Sequence, residues 1–143
     1  MFSGNRPAEV LIADDESIAR DVLHFYLESL GCRVHTARDG HEALAMCRES
    51  ADWLGLVILD ARMPGPPSVE LYKKIREISP AIPVLFCSGI SSDDPDIQAI
   101  NENGFQLLKK PFNRGALHQA ILQATNEAET RTAVARYYRT VMG

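Results

Sequence analysis

The sequence predicts a three-layer α/β sandwich, in which a five-stranded parallel sheet is covered by helices on both faces. Five short apolar segments alternate with five amphipathic segments along the 143 residues. Two of the apolar segments, LVIL and PVLF, are uninterrupted runs, as is typical of strands that are buried on both faces. Strands that alternate with helices run parallel, because each crossover returns the chain to the same edge of the sheet. The length and the 45% hydrophobic content fit one globular domain.

The predicted strands are short segments rich in β-branched and apolar residues, which favour extended structure. In chain order they cover residues 10–13, 33–37, 56–59, 83–86 and 106–109.

The helical segments between them show apolar residues at a spacing of three to four. In the first, Ile18, Val22 and Tyr26 recur every four residues, and Gly31 is a residue type that commonly follows a helix end. The other helices are expected after Asp39 as N-cap, before Pro80, around Ile97 and Ile100, and from Asn113 onward.

Residues 126–143 lie outside this alternation. They place four apolar residues at the spacing of an amphipathic helix, namely Val134, Tyr137, Tyr138 and Val141. This segment is either a sixth helix or a continuation of the fifth. We therefore predict a domain over residues 8–125 and a C-terminal helical extension or linker over residues 126–143, through which the chain could form a homodimer.

Composition excludes several classes of partner. Nineteen acidic and fifteen basic residues give a net charge of -4, and no block of Lys and Arg stands out. Because binding through phosphate neutralisation needs clustered cations, we expect no nucleic-acid partner. The apolar stretches are far shorter than the roughly 20 residues of a membrane span, so we expect no membrane partner.

The sequence also predicts a cytoplasmic location. The first nine residues lack the apolar core of a signal peptide. The three cysteines are an odd number without paired spacing, which favours reduced thiols over disulfides or a zinc site.

Charged and hydroxyl side chains follow four of the predicted strands. Asp14 and Asp15 follow the first strand, Asp60 the third, Ser88 the fourth and Lys110 the fifth. Acidic residues after one strand also fit an ordinary helix N terminus. However, the carboxyl ends of parallel strands share one edge of the sheet, where ligands bind in open α/β folds. We therefore expect these five side chains to form one acidic site.

Three carboxylates in one cleft need a compensating cation. At about 5 Å and an effective dielectric near 20, each pair repels by roughly 3 kcal/mol. A hard divalent cation such as Mg²⁺ offsets this repulsion, and three aspartates, Mg²⁺ and one lysine sum to zero. If Asp60 became an acyl phosphate, the total would fall to about -1 and would attract Ser88 and Lys110. This combination of groups is typical of phosphoryl transfer to an aspartate nucleophile.

The sequence resembles the receiver (CheY-like) domain of two-component response regulators. Four segments carry the resemblance in the family's order and spacing: VLIADDE (10–16), VILDARMPG (57–65), VLFCSG (84–89) and LKKPF (108–112). The resemblance covers about residues 8–125 and implies a flavodoxin-like sheet with strand order 2-1-3-4-5. The segment that ends in LKKPF also resembles receivers associated with hybrid sensor kinases.

The resemblance implies a magnesium site at this edge of the sheet. Asp15 and Asp60 would be direct Mg²⁺ ligands, and Asp14 would support the ion, often through water. The backbone carbonyl of Arg62 would be the third protein ligand, and Mn²⁺ would be able to replace Mg²⁺.

The resemblance also implies how the phosphoryl group is held. Asp60 would be the phosphoacceptor, Ser88 would donate to a phosphoryl oxygen, and Lys110 would pair with the phosphoryl group. The Lys110–Pro111 peptide bond is expected to be cis.

The function implied is signalling rather than enzymatic turnover of a substrate. A histidine kinase or a histidine phosphotransfer protein would donate to Asp60, and a changed surface would bind a downstream protein that the sequence does not identify. Two alternatives remain open. One is a phosphorylation-independent interaction module with the same fold. The other is a Mg²⁺-dependent phosphohydrolase of the haloacid dehalogenase type, although its DxDx[T/V] motif is not matched by DDES after the first strand.

Two positions depart from the family pattern. Leu107 stands where the family usually has an aromatic residue, and Phe105 lies two residues earlier, which puts an aromatic switch coupled to Ser88 in doubt. Arg62 follows the acceptor position by two residues, and we predict that its side chain shields the acyl phosphate from water.

Overall fold

Strands and helices alternate along the chain, which a computed structural model describes over residues 8–142, with side chains over residues 8–128. The elements are β1 (Glu9–Ala13), α1 (Ser17–Ser29), β2 (Arg33–Ala37), α2 (Gly40–Ser50), β3 (Leu56–Asp60), α3 (Ser68–Ile78), β4 (Val84–Ser88), α4 (Pro95–Glu102), β5 (Gln106–Lys109) and α5 (Arg114–Met142).

The strands form one parallel sheet in the order β2-β1-β3-β4-β5. The predicted fold class and strand order are confirmed. In this register Ala13 lies opposite Leu59, Asp60 opposite Cys87, and Ser88 opposite Lys109. The ends of β1, β3, β4 and β5 therefore lie side by side at one edge. The chain leaves β1 and β3 toward opposite faces of the sheet, which opens a crevice between them.

The core has two layers, one on each face of the sheet, because successive strand side chains point to opposite faces. Leu11, Leu59 and Phe86 belong to one layer, which α2, α3 and α4 cover. Val10 and Ile58 belong to the other, which α1 and α5 cover. Helices therefore cover both faces of the sheet, as predicted.

Side-chain caps begin three of the helices. Asp39 accepts a hydrogen bond from the amide of Glu42 at 2.8 Å, as predicted for the start of α2. Asp94 and Asn113 accept from amides in the first turns of α4 and α5. These caps satisfy backbone donors that have no partner within the helix.

Two strands extend further at their carboxyl ends than the sequence predicts. β3 ends at Asp60 instead of Leu59, and β4 ends at Ser88 instead of Phe86. Polar side chains suggested loops here, but the backbone ladder continues. The amide of Ala61 donates to the carbonyl of Cys87, and the amide of Lys110 donates to that of Ser88, both at 2.8 Å. Asp60 and Ser88 are therefore the last residues of strands in the sheet, not loop residues.

Helix α5 runs from Arg114 to Met142 as one helix of 29 residues. Of the two alternatives for residues 126–143, the structure therefore has the continuation. The side chains of Val134, Tyr137, Tyr138 and Val141 lie outside the described residues, so the apolar stripe and the homodimer built on it stay predictions. No helix in the described part of the chain has the length and apolar character that crossing a membrane requires.

The loop after β3 packs closely against the start of α2. Gly65 has a φ of +120°, and a Cβ there would lie 3.1 Å from both the Cα and the nitrogen of Gly40. The amide of Gly40 also donates to the carbonyl of Pro64 at 2.9 Å. A glycine at position 65 therefore permits both the backbone conformation and the close approach.

We expect Gly65→Ala to reduce the free energy of unfolding by more than about 2 kcal/mol, because it adds an unfavourable φ and a backbone clash. Gly31→Ala is the matched control, since Gly31 has a φ of +86° but no atom within 4 Å of the position that a Cβ would take. Its cost should be only about 1 kcal/mol. Urea unfolding measures both values, and equal losses would contradict a role for the close approach.

Candidate functional site

Asp14, Asp15 and Asp60 meet at the carboxyl edge of the sheet. One carboxylate oxygen from each lies within 4.8 Å of the others. Asp14 is buried, Asp60 is partly buried and Asp15 is exposed. Carboxylate oxygens are the donors that Mg²⁺ prefers, and an exposed side leaves room for the water ligands that it retains. The three residues fit a hard divalent cation.

Lys110 joins two of these carboxylates. Its Nζ donates to Asp14 Oδ2 at 2.8 Å and to Asp60 Oδ1 at 2.9 Å. The side chain of Asp14 is only 1% exposed, and those of Asp60 and Lys110 are 12% and 23% exposed. Three carboxylates and one ammonium leave a formal charge that a divalent cation would balance. The Lys110–Pro111 bond is cis, as expected from the resemblance.

Burial and neighbouring charges act in opposite directions on these groups. The pKa of Asp60 is raised, mainly by burial and further by the nearby charge of Asp14, and the charge of Lys110 and the hydrogen bonds from Lys110 and from the Arg62 amide offset only part of this increase. For Lys110, burial lowers the pKa, but the hydrogen bonds to Asp14 and Asp60 and the negative charges of these two residues together outweigh burial and raise it. Lys110 therefore stays protonated, and its charge favours the ionised form of Asp60.

Asp14 is fixed from two further directions. Its Oδ1 accepts from the amide of Glu16 at 3.0 Å, and its backbone carbonyl accepts from Arg20 Nη1 at 2.6 Å. Sequence reasoning did not identify Arg20. Its position in the first turns of the helix after Asp14 was the available signal, but a basic residue there is common on a solvated helix face.

Ser88 ends β4 beside the acidic site, and its side chain is buried. Its Oγ accepts from the amide of Ile90 at 2.9 Å. Among the described residues the Ser88 hydroxyl makes no hydrogen bond to the three carboxylates or to the ammonium group of Lys110. The fold therefore brings Ser88 to the same edge of the sheet as the three carboxylates, as predicted. Its hydroxyl is hydrogen-bonded to the backbone of the loop that follows β4.

Arg62 has two separate contacts. Its amide donates to Asp60 Oδ2 at 3.2 Å. Its guanidinium instead reaches α4, where Nη2 lies 2.5 Å from Asp94 Oδ2 and 3.0 Å from Asp96 Oδ2. The cation that we predict to shield the acyl phosphate is thus engaged by two aspartates that sequence reasoning did not single out. They follow Arg62 by 32 and 34 positions, a separation at which local sequence patterns give no sign of a contact.

The aromatic residue near β5 is held in a stack. Phe105 lies parallel to Tyr72 with ring centroids 3.7 Å apart, and its centroid is 6.1 Å from that of Phe86. The guanidinium of Arg76 lies over the other ring of this pair, 4.9 Å from the centroid of Tyr72. Leu107, opposite Phe86 in the sheet, carries no ring. The described residues at this position therefore offer no aromatic side chain next to Ser88.

Several curated proteins are similar to this chain over most of its length. The transcriptional regulatory protein GlrR of Escherichia coli K12 is 33% identical over 129 residues, which are 90% of this chain and 28% of the relative. The C4-dicarboxylate transport transcriptional regulatory protein DctD of Pseudomonas aeruginosa is 32% identical over 81% of this chain and 25% of its own length. The chain thus spans about a quarter of the length of these relatives.

These relatives correct one expectation. We expected no nucleic-acid partner, and this expectation is wrong, because the matched relatives are transcriptional regulatory proteins. The physical reason is that net charge and the absence of a basic block describe only the residues counted. They carry no information about the three quarters of such regulators that this chain does not match.

Solved structures and a family model agree with the fold and the order of the motifs. A response regulator receiver domain protein from Clostridium thermocellum superposes with a TM-score of 0.74 at 32% identity, over 86% of this chain and 98% of the other. The receiver domain of the hybrid histidine kinase CckA gives 0.67 at 32% identity, over 82% and 99%. The model of the response regulator receiver domain matches residues 10–122, and the chain therefore belongs to the response regulator receiver domain family.

Proposed function

We propose that this domain receives a phosphoryl group on Asp60 from a histidine kinase or a histidine phosphotransfer protein, in a two-component phosphorelay. The observation that carries the proposal is the position of Lys110 Nζ, which bridges the carboxylates of Asp14 and Asp60 at 2.8 and 2.9 Å. This bridge places a fixed cation beside the one partly buried carboxylate that ends the central strand β3.

The proposed transfer is a displacement at phosphorus. A carboxylate oxygen of Asp60 forms a bond to the phosphorus of a phosphohistidine, and the phosphorus–nitrogen bond breaks with its electron pair left on the imidazole. The carboxylate, with charge -1, becomes an acyl phosphate with charge of about -2. Each oxygen of Asp60 already accepts one hydrogen bond, from Lys110 Nζ or from the Arg62 amide, so the carboxylate is oriented before the donor arrives.

The residues that would hold a metal ion in this reaction are Asp15, Asp60 and the backbone carbonyl of Arg62, with Asp14 in support. The donor set consists of oxygens, which favours Mg²⁺, or Mn²⁺ in its place. When bound, the ion would neutralise charge on the oxygens of the transferred phosphoryl group.

Lys110 and Ser88 are the groups that we assign to the product. Lys110 Nζ is already 2.9 Å from an oxygen of Asp60 and would pair with a phosphoryl oxygen without a long movement. Ser88 would first release the amide of Ile90, to which its Oγ is now bound. Its hydroxyl would then donate to the phosphoryl group, and this exchange would couple the loop after β4 to phosphorylation.

We assign the domain to signalling rather than to enzymatic turnover, with its output through a downstream protein or through a further part of a longer regulator. The transcriptional regulators to which it is similar suggest that such an output would act on transcription. A cytoplasmic location accords with Cys32, Cys47 and Cys87, which are free and buried.

We expect one phosphoryl mass gain when the protein is incubated with acetyl phosphate and Mg²⁺, and none in Asp60→Asn, which lacks the nucleophilic oxygen. Intact mass spectrometry measures the gain. Asp21→Asn, which removes an exposed carboxylate on α1, is the matched control and should be phosphorylated normally. Absence of the gain in wild-type protein that binds Mg²⁺ would favour the phosphorylation-independent interaction module.

We expect Mg²⁺ to stabilise the fold through the three aspartates. At ten times its dissociation constant, a ligand adds about 1.4 kcal/mol, which for a chain of this size raises Tm by about 4 °C. Asp15→Asn should reduce this shift strongly, because it removes one of the three clustered carboxylates. The fold itself should be unaffected, since the exposed Asp15 side chain makes no hydrogen bond among the described residues.

Thermal unfolding with and without Mg²⁺ measures the shift, and Asp21→Asn again serves as the control that should retain it. Equal shifts in Asp15→Asn and wild type would place the ion elsewhere.

A further inference from the structure

Arg62 connects the acceptor aspartate with α4. Its backbone amide lies 3.2 Å from Asp60 Oδ2, while its Nη2 bridges Asp94 and Asp96 at 2.5 and 3.0 Å. These aspartates follow Arg62 by 32 and 34 positions in the chain. Arg62 therefore links the end of β3 with the first turn of α4.

Helix α4 has few other restraints at this end. Residues 91–104 contain four acidic residues and no Lys or Arg. Among the described residues, Arg62 is the only cation that forms an ion pair with α4. The helix has eight residues, and its buried side chains are Ile97 and Ile100. A short helix with two buried side chains depends on contacts at its ends more than a long one does.

A phosphoryl group on Asp60 would compete for the same guanidinium. Lys110 already neutralises one charge at Asp60, and an acyl phosphate would add about one further negative charge beside Arg62. The Arg62 side chain is 54% exposed, and those of Asp94 and Asp96 are 14% and 44% exposed, so solvent screens the guanidinium and weakens these pairs. A guanidinium also matches phosphate oxygens with two parallel hydrogen bonds.

We propose that Arg62 is an electrostatic tether, which holds the N terminus of α4 while Asp60 is unmodified and which a phosphoryl group on Asp60 draws away from Asp94 and Asp96. The release, though not the tether, rests on the proposed function. Leu107 has no ring to move, and Phe105 is stacked on Tyr72, so Arg62 supplies a route from the acceptor to α4 that needs no aromatic side chain.

Release would loosen the first turn of α4 without unfolding the helix. Asp94 and Asp96 would lose their shared cation, while Asp94 Oδ1 would still accept from the amide of Asp96 at 2.9 Å. The buried side chains of Ile97 and Ile100 would keep the helix on the sheet. The surface that α4 presents beside the site would therefore change in charge and in order.

Amide hydrogen exchange in α4 tests the tether in Arg62→Ala, before and after treatment with acetyl phosphate and Mg²⁺. Before treatment, the variant should exchange its α4 amides about two- to fivefold faster than wild type, the size expected from the loss of exposed ion pairs. Phosphorylated wild type should show a similar acceleration, and phosphorylation of Arg62→Ala should add little.

Arg38→Ala is the matched control, because Arg38 is an exposed arginine whose guanidinium pairs with Glu42 on α2. Its α4 amides should exchange as in wild type, with the same response to phosphorylation. An α4 acceleration in Arg38→Ala as large as in Arg62→Ala would overturn the proposal, because the effect would then reflect a general loss of positive charge.

A second variant removes the other side of the tether. Asp94→Asn with Asp96→Asn removes both charges, and asparagine at position 94 can still cap the helix. This double variant should exchange as fast as Arg62→Ala, and adding Arg62→Ala to it should cause no further change. Additive effects would show that Arg62 acts on α4 by another path and would overturn the tether.

Two further results would overturn the proposal. Wild-type exchange rates in unmodified Arg62→Ala would exclude the tether, and an equal acceleration by phosphorylation in Arg62→Ala and wild type would exclude release through Arg62. Intact mass of the same samples separates these failures from that of the proposed function. If no phosphoryl group is gained, the proposed function and the release both fail. The α4 exchange rates of unmodified wild type and Arg62→Ala then still show whether the tether exists.

Discussion

The two hydrogen bonds from Lys110 Nζ to Asp14 and Asp60 are the interaction on which the site depends. It joins the last residue of β3 with the residues that follow β1 and β5, and it is largely withdrawn from solvent. Without a cation here, Asp14 would be a buried carboxylate close to a second carboxylate, an arrangement in which one of the two tends to hold a proton. The lysine therefore makes it possible for a partly buried aspartate to remain ionised at the end of the central strand.

The position of this lysine is itself a product of the sheet. Backbone hydrogen bonds continue past the apolar parts of β3 and β4, and the amide of Lys110 donates to the carbonyl of Ser88. Asp60, Ser88 and Lys110 are thus placed by the backbone hydrogen bonds of the sheet, and Arg62 lies in the loop that follows β3. Under the proposed function, groups fixed by the sheet would lie next to an exposed side chain, that of Arg62, which could change partners.

Charge links the site with its surroundings in two different ways. Lys110 is partly buried and hydrogen-bonded to two carboxylates, so its pairing is strong and changes little. Arg62 is half-exposed and paired with carboxylates at the start of a short helix, so its pairing is weak and open to competition. A change of about one unit of charge at Asp60 would therefore leave the first cation in place and redirect the second.

The sequence by itself determined the alternation of strands and helices, the meeting of Asp14, Asp15, Asp60 and Lys110 at one sheet edge, and the family. These features follow from local periodicity and from the rule that parallel strands end at one edge. The sequence did not determine the face that α1 buries, because Ile18 and Val22 of the apolar stripe are exposed and Leu23 and Leu27 are buried instead. Only the tertiary structure decided that Arg62 reaches Asp94 and Asp96, that the Ser88 hydroxyl binds Ile90, that Phe105 stacks on Tyr72, and that α5 continues through residue 126. Such contacts join residues far apart in the chain or choose between two locally equivalent continuations, and local patterns do not encode the distances that separate elements after they pack.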